Sequence, residues 1–257
     1  MSTAVSFSAE VLAAYFANIK ILTERLHQHI LSLHQSSFHG KPRELIAEIA
    51  RWAEANNMGM LFHGLKIQKC HDILQATEPK PKVIIEYGTY VGNSALGWAA
   101  SLMEFHGRDA SDIHVYGFES DPEKATIARD VIKLAGVENI VTIVTATGAE
   151  ALEQLRHEGK ITQGQVDVVL LDHWKDVYLS DLVLCEKLQV FHEGSIIFAD
   201  NTDYPGAPDY IEYVKRGGSG LPGATRYATE TLVEPRIIGE NESVRHSSSP
   251  TLSLLTY

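Results

Sequence analysis

A chain of 257 residues with 33 acidic and 22 basic side chains has a formal net charge of −11, and no Lys/Arg cluster offsets it, so nucleic acid is excluded as an expected partner. Hydrophobic residues at 44% are enough for one substantial core, yet no run reaches the roughly 18 apolar residues that a membrane span needs, so no membrane partner is expected. Met1 to Phe7 lacks the basic start and apolar stretch of a secretory signal, and two cysteines in apolar helical contexts, Cys70 and Cys185, read as buried thiols, so the expected location is cytoplasmic.

From Ser8 to about Leu33, apolar residues recur three and four apart (Val11, Leu12, Tyr15, Ile19, Leu22, Leu26, Ile30, Leu33), which predicts a long amphipathic helix. His27, His29, His34 and His39 lack the spacing of a metal set and read as solvated surface. After a break at His39-Gly40-Lys41, Pro42 suits the first helical position of a second helix through Trp52, and a third helix is predicted from Gly64 to Ala76. Pro79-Lys80-Pro81 closes this helical cap (1–78) and opens an α/β core (79–257) within one domain.

The core alternates strand and helix: strand Val83 to Tyr87, helix Asn93 to Phe105, strand Ile113 to Phe118, then a helix to Ala135 with Asp121 as cap and Gly136 as stop. Strand Val141 to Thr145, helix Gly148 to Glu158, strand Val166 to Leu171, helix Leu179 to Phe191 and strand Ser195 to Ala199 follow. Beyond lie a helix from Ile211 to Lys215, a Gly-rich loop, a strand from Arg226 to Val233 and a last strand from Leu252 to Leu255. Five such alternations predict a doubly wound, mostly parallel sheet with helices on both faces, an α/β fold.

Two strand ends carry the chemistry. Leu171 is followed by Asp172-His173-Trp174-Lys175-Asp176, and Ala199 by Asp200-Asn201 with Pro205-Gly206-Ala207-Pro208-Asp209 soon after. Open α/β sheets bind ligands outside the carboxyl ends of their strands. If the two strands are neighbours, two carboxylates and an amide oxygen converge, a hard donor set that suits magnesium before zinc. At the first strand-to-helix turn, Glu86-Tyr87-Gly88-Thr89-Tyr90-Val91-Gly92-Asn93-Ser94 has glycines for close ligand approach. Tyr90 replaces the second glycine of a dinucleotide fingerprint, which argues against a nicotinamide dehydrogenase. Glu119-Ser120 at the end of the second strand places a carboxylate where a ribose diol would bind.

With these stretches together, the chain resembles the catechol O-methyltransferases, which use S-adenosylmethionine and magnesium on the class I methyltransferase fold; the resemblance covers roughly residues 60 to 215. It implies Asp172, Asp200 and Asn201 as magnesium ligands and Lys175 as the base that deprotonates the reacting hydroxyl. It implies a cofactor site of Phe62, Glu86, Gly88, Tyr90, Ser94, Glu119, Ser120, Asp172 and His173. Trp174 and Pro205 would wall a small-molecule catechol, with Met58 and Met60 as gatekeepers, Lys175 and Asn201 also facing it, and Glu234, or failing that Glu230, on its second hydroxyl.

The chain departs from the family where Gly148-Ala149 replaces Ser-Gln near the adenine and where Met58 replaces an aromatic gatekeeper. A larger diol, such as a caffeoyl-type thioester or a flavonoid, is the alternative substrate, and a cofactor-binding module without chemistry the alternative class. The protein is expected to be a monomer or homodimer.

Overall fold

The computed structural model describes residues 9–221, 226–233 and 251–256. A cap of helices α1 (Ala9–Ser32), α2 (Gln35–Phe38), α3 (Pro42–Ala55) and α4 (Gly64–Ala76) precedes the sheet. The core then runs β1 (Val83–Tyr87), α5 (Asn93–His106), β2 (His114–Glu119), α6 (Pro122–Ala135), β3 (Val141–Thr145), α7 (Gly148–His157), β4 (Val166–Leu171), α8 (Tyr178–Lys187) and β5 (Phe191–Asp200). It ends with α9 (Pro208–Lys215), β6 (Ala228–Val233) and β7 (Thr251–Thr256).

Strand order is β3-β2-β1-β4-β5-β7-β6. The first five strands are parallel, and the last two are antiparallel to their neighbours. Side chains alternate between the two faces. Ile84, Val115, Val168, Leu170, Ile196 and Phe198 pack under α1, α3, α4, α5 and α6. Ile85, Tyr87, Phe118, Val169, Leu171, Ile197 and Ala199 pack under α7, α8 and α9. The predicted doubly wound architecture is therefore present, and one apolar cluster runs continuously through cap and core.

Caps account for the helix ends. Asp121 accepts from the Glu123 and Lys124 amides at 2.9 and 3.4 Å, and Gly136 ends α6 in the left-handed region. Thr147 and Glu150 form a capping box at α7.

Some expectations need correction. The helix expected to reach Phe191 stops at Lys187, and β5 starts at Phe191 rather than Ser195. Phe191 already pairs with Val166, and the register shift between Val166 and Val168 absorbs the extra residues. Two of the histidines read as solvated surface instead fasten α1: His27 Nε2 meets Asp130 on α6 at 2.7 Å, and His29 Nε2 meets Glu48 on α3 at 2.8 Å. Cys70 and Cys185 are free and buried, as expected. Among the described residues no helix is long and apolar enough to cross a membrane.

Tyr87 explains one departure noted in the sequence. Its ring is fully buried, edge-on to Phe118 with centroids 5.1 Å apart, and its hydroxyl lies 3.2 Å from Cys185 Sγ. A Cβ on Gly148 would stand 2.3 Å from Tyr87 Cδ1 and 2.6 Å from Cε1, so a side chain at 148 must displace a ring with nowhere to go. Gly148→Ser is therefore expected to cost about 1–3 kcal/mol, the range for overpacking. Adding Tyr87→Leu should recover part of that loss, as read from denaturant midpoints of the single and double variants.

Candidate active site

β4 and β5 are adjacent and parallel with Leu171 opposite Ala199, so Asp172 and Asp200 stand side by side at the carboxyl edge of the sheet. Asn201 follows with a left-handed backbone (φ 52°) before the turn Thr202–Gly206. The strand-end convergence read from the sequence is thus present for the two carboxylates. No group of three or more His, Cys, Asp and Glu gathers among the described residues.

Two lysines balance the pair. Lys175 Nζ lies 3.4 Å from Asp172 Oδ1 and donates to the Tyr178 hydroxyl at 2.6 Å. Lys66, on α4, donates to both oxygens of Asp200 at 2.7 Å. Burial pushes the Lys175 ammonium below the ordinary lysine range, against the opposing pull of Asp172 and Asp200. Burial, then the charge of Asp200, holds the Asp172 carboxyl above its usual range, and the two lysines temper that rise.

Tyr178 is the clamp of the site. Its fully buried hydroxyl shares one proton between the carbonyls of Leu171 (2.6 Å) and Asp200 (3.1 Å) while accepting from Lys175. One side chain therefore ties both strand ends to the lysine. Neither Lys66 nor Tyr178 has an assigned role in the sequence reading. The signal for Lys66 was present: it shares the helical stripe of Cys70 and Leu74, four and eight residues on, where a lysine is buried only with a partner.

Beside this cluster lies the glycine turn. Gly88 has φ 89°, and a Cβ there would come within 2.5 Å of the Asp172 carbonyl oxygen, so only glycine permits β1 and β4 to end this close together. Glu86 is wholly buried; it accepts from Thr89 Oγ1 at 3.3 Å, has Ser94 and Trp98 as its other polar neighbours, and is pushed up to about 8 by burial. Glu119 is also raised by burial, yet its oxygens accept the amides of Tyr90 and Asp121, each at 2.9 Å. Asn93 Nδ2 donates to the Phe62 carbonyl at 2.7 Å, which pins the α3–α4 loop against the start of α5. His173 Nε2 meets Asp181 Oδ2 at 2.7 Å, and its ring stacks on Tyr178.

The Asn93 oxygen and His173 Nδ1 are buried without a hydrogen-bond partner among the described residues. Buried polar atoms rarely go unsatisfied, and these two, with the glycine cradle and Glu119, fit a polar ligand spread from α5 to β4. Ser94 is a polar neighbour of Glu86, the Phe62 carbonyl is held by Asn93, the Asp172 carbonyl oxygen faces Gly88, and Ser120 is exposed next to Glu119.

On the substrate side the placements diverge. Trp174 is 73% exposed, which rules out a core role for it, and Met60 is also exposed. Met58, by contrast, is buried in the apolar cluster with Leu45 and Ile49. Nothing beyond the backbone turn is described at Pro205, and Glu234 lies outside the described residues. β6 ends at Val233 on the same edge of the sheet as Asp200, whereas Glu230 sits level with Phe198, back from that edge.

The family model described as O-methyltransferase matches residues 72–212. Catechol O-methyltransferase of Bos taurus is 34% identical over 196 residues, covering 76% of this chain and 66% of the relative, so the chain spans just under two-thirds of that protein's length. Catechol O-methyltransferase of Sus scrofa is 35% identical over 167 residues, covering 65% of this chain and 84% of the relative. Among solved structures, the O-methyltransferase from Bacillus cereus in complex with SAH superposes with TM-score 0.62 at 17% identity, covering 87% of this chain and 100% of that one. A protein from Klebsiella pneumoniae described as a putative O-methyltransferase gives 0.60 at 18%, covering 86% and 98%. At these identities the structural likeness speaks for the fold, while the family match and the relatives carry the identity: the chain belongs to the O-methyltransferase family.

Proposed function

We propose that this protein transfers a methyl group from S-adenosylmethionine to one hydroxyl of a catechol or similar vicinal diol, with magnesium held by Asp172, Asp200 and Asn201. The observation that carries the proposal is half-buried Asp172 side by side with buried Asp200, beside a lysine whose ammonium is held below its ordinary range. The names of the bovine and porcine relatives point the same way, as does the SAH complex of the Bacillus cereus neighbour for the cofactor. When bound, the sulfonium supplies an electrophilic methyl, and the cation supplies the Lewis acidity that favours an ionised diol.

The chain's own groups do the rest. Lys175 takes the hydroxyl proton at Nζ: its lowered pKa leaves a fraction neutral, and the bond to Tyr178 fixes where Nζ points. Glu119 would accept the ribose hydroxyls, and Glu86, Ser94 and Asp172 would receive the amino-acid end. Trp174 and Met60 offer an exposed apolar wall for a flat ring. With Met58 withdrawn into the core, that wall is open, which favours tolerance of a larger, caffeoyl-type diol as a second reading.

Incubation with methyl-labelled S-adenosylmethionine, magnesium and a panel of catechols and caffeoyl-type diols should give labelled ether; cofactor binding without transfer to any diol would leave a module without chemistry. Lys175→Ala should lower turnover about 10²–10⁴-fold and change cofactor affinity less than about twofold. Because the neutral amine is the active form, the rate should rise with pH and level off below the ordinary lysine range. Chelation should stop transfer, and Asp200→Asn should abolish Mn²⁺ binding followed by paramagnetic resonance.

Glu86 generates a separate expectation. Pushed up to about 8, it holds its proton in the free protein at neutral pH, whereas a cofactor ammonium beside it favours the carboxylate. Binding then releases a proton, so affinity should increase as pH rises from about 6 to about 8. Glu86→Gln should flatten that dependence in calorimetric titrations.

A further inference from the structure

α1 lies wholly outside the residues matched by the family model, yet it reaches the cofactor turn. Tyr90 is a non-glycine residue in the left-handed region, φ 53°, at the apex of that turn. A tyrosine rarely holds this backbone unless its surroundings impose it. Its hydroxyl lies 2.5 Å from Thr23 Oγ1 on α1. Thr23 is buried and donates its own proton to the Ile19 carbonyl at 2.8 Å, so the Tyr90 hydroxyl is the donor and Thr23 the acceptor. On the open side of the ring, Lys124 Nζ stands 5.8 Å from the centroid.

The other end of Tyr90 is engaged as well. Its backbone amide donates to Glu119 Oε2, one of two amides among the described residues that orient this buried carboxylate. Thr23, Tyr90 and Glu119 thus form one connected series from the cap helix to the end of β2. Beyond Thr23, the last turns of α1 are fastened separately, by His27 to Asp130 and His29 to Glu48.

We propose that α1 is a working part of the cofactor site, and that Thr23 is a positioning residue: by accepting from Tyr90 it holds the turn left-handed and keeps the Tyr90 amide on Glu119. This deepens the S-adenosylmethionine reading and rests on it. Besides packing into the core through Leu22, Leu26 and Ile30, α1 thereby gains a role at the site, since a chain without it would have to hold the same turn by other means.

The test is calorimetric binding of S-adenosylmethionine to the full chain and its variants, with melting temperatures alongside. Thr23→Val keeps the shape and removes the acceptor; it should weaken binding about 3- to 10-fold, the worth of one hydrogen bond, while Thr23→Ser should bind like the wild type. His29→Gln, which loosens α1 away from Tyr90, should lower the melting temperature without moving cofactor affinity. Tyr90→Phe should match Thr23→Val, and the double variant should be no worse than either single one; if Thr23→Val does not fold, Tyr90→Phe carries the same expectation. Unchanged affinity in Thr23→Val or, where that variant does not fold, in Tyr90→Phe would overturn the proposal, as would equal losses in Thr23→Val and Thr23→Ser. A wild-type protein that binds no S-adenosylmethionine would instead overturn the cofactor reading on which it stands.

Discussion

Two carboxylates held side by side at the edge of a sheet repel each other, and with Asp200 buried and Asp172 half-buried water screens them only in part. Everything around Asp172 and Asp200 answers to that repulsion. Lys66 spans both oxygens of Asp200, Lys175 approaches Asp172, and Tyr178 ties the two strand ends and Lys175 together with one hydroxyl. Two positive charges against two negative ones bring this group close to neutrality, which is the condition for burying it. In the magnesium reading proposed above, a hard divalent cation would supply the same balance in place of the Lys66 ammonium, which here occupies both Asp200 oxygens.

Lys66 also changes how the helical cap is understood. A salt bridge from α4 to the end of β5 joins cap to sheet at the site itself, and the apolar cluster beneath α5 contains Leu26, Leu45 and Leu74 together with Ile84 and Phe198. The cap is therefore part of the surface on which the site is built. Its loop from Asn56 to His63 places Met58 in the core and Met60 at the surface, and the Asn93 amide holds that loop by the Phe62 carbonyl.

Strand ends were legible in the sequence because parallel strands buried on both faces read as apolar runs, and the first charged residue after such a run marks the carboxyl edge. Asp172, Asp200 and Glu119 were found that way. What sequence spacing cannot supply is a partner that arrives from another layer: Lys66 lies 134 residues from Asp200, and Thr23 lies 67 from Tyr90. The limits of β5 were misjudged for a related reason. His192-Glu193-Gly194 is polar and turn-like, so local pattern starts the strand after it, whereas pairing of Phe191 with Val166 carries the ladder back across it. Tertiary pairing overrode a local signal.

From sequence, the replacement of Ser-Gln by Gly148-Ala149 means that one hydrogen bond to a cofactor base is either missing or supplied by backbone. The structure gives it a different cause. Tyr87 fills the space that a side chain at 148 would need, and Tyr87 is itself locked between Phe118, His173 and Cys185. Residues 87 and 148 are thus a volume-matched pair, a large ring against no side chain, and the contact was exchanged for packing. For the proposed cofactor this shifts base recognition away from side chains of α7 toward its backbone amides and toward His173, whose ring Asp181 already orients and whose Nδ1 has no other partner among the described residues. Backbone amides at a helix start depend less on which side chains surround them, so the absence of both polar side chains is compatible with the proposed cofactor.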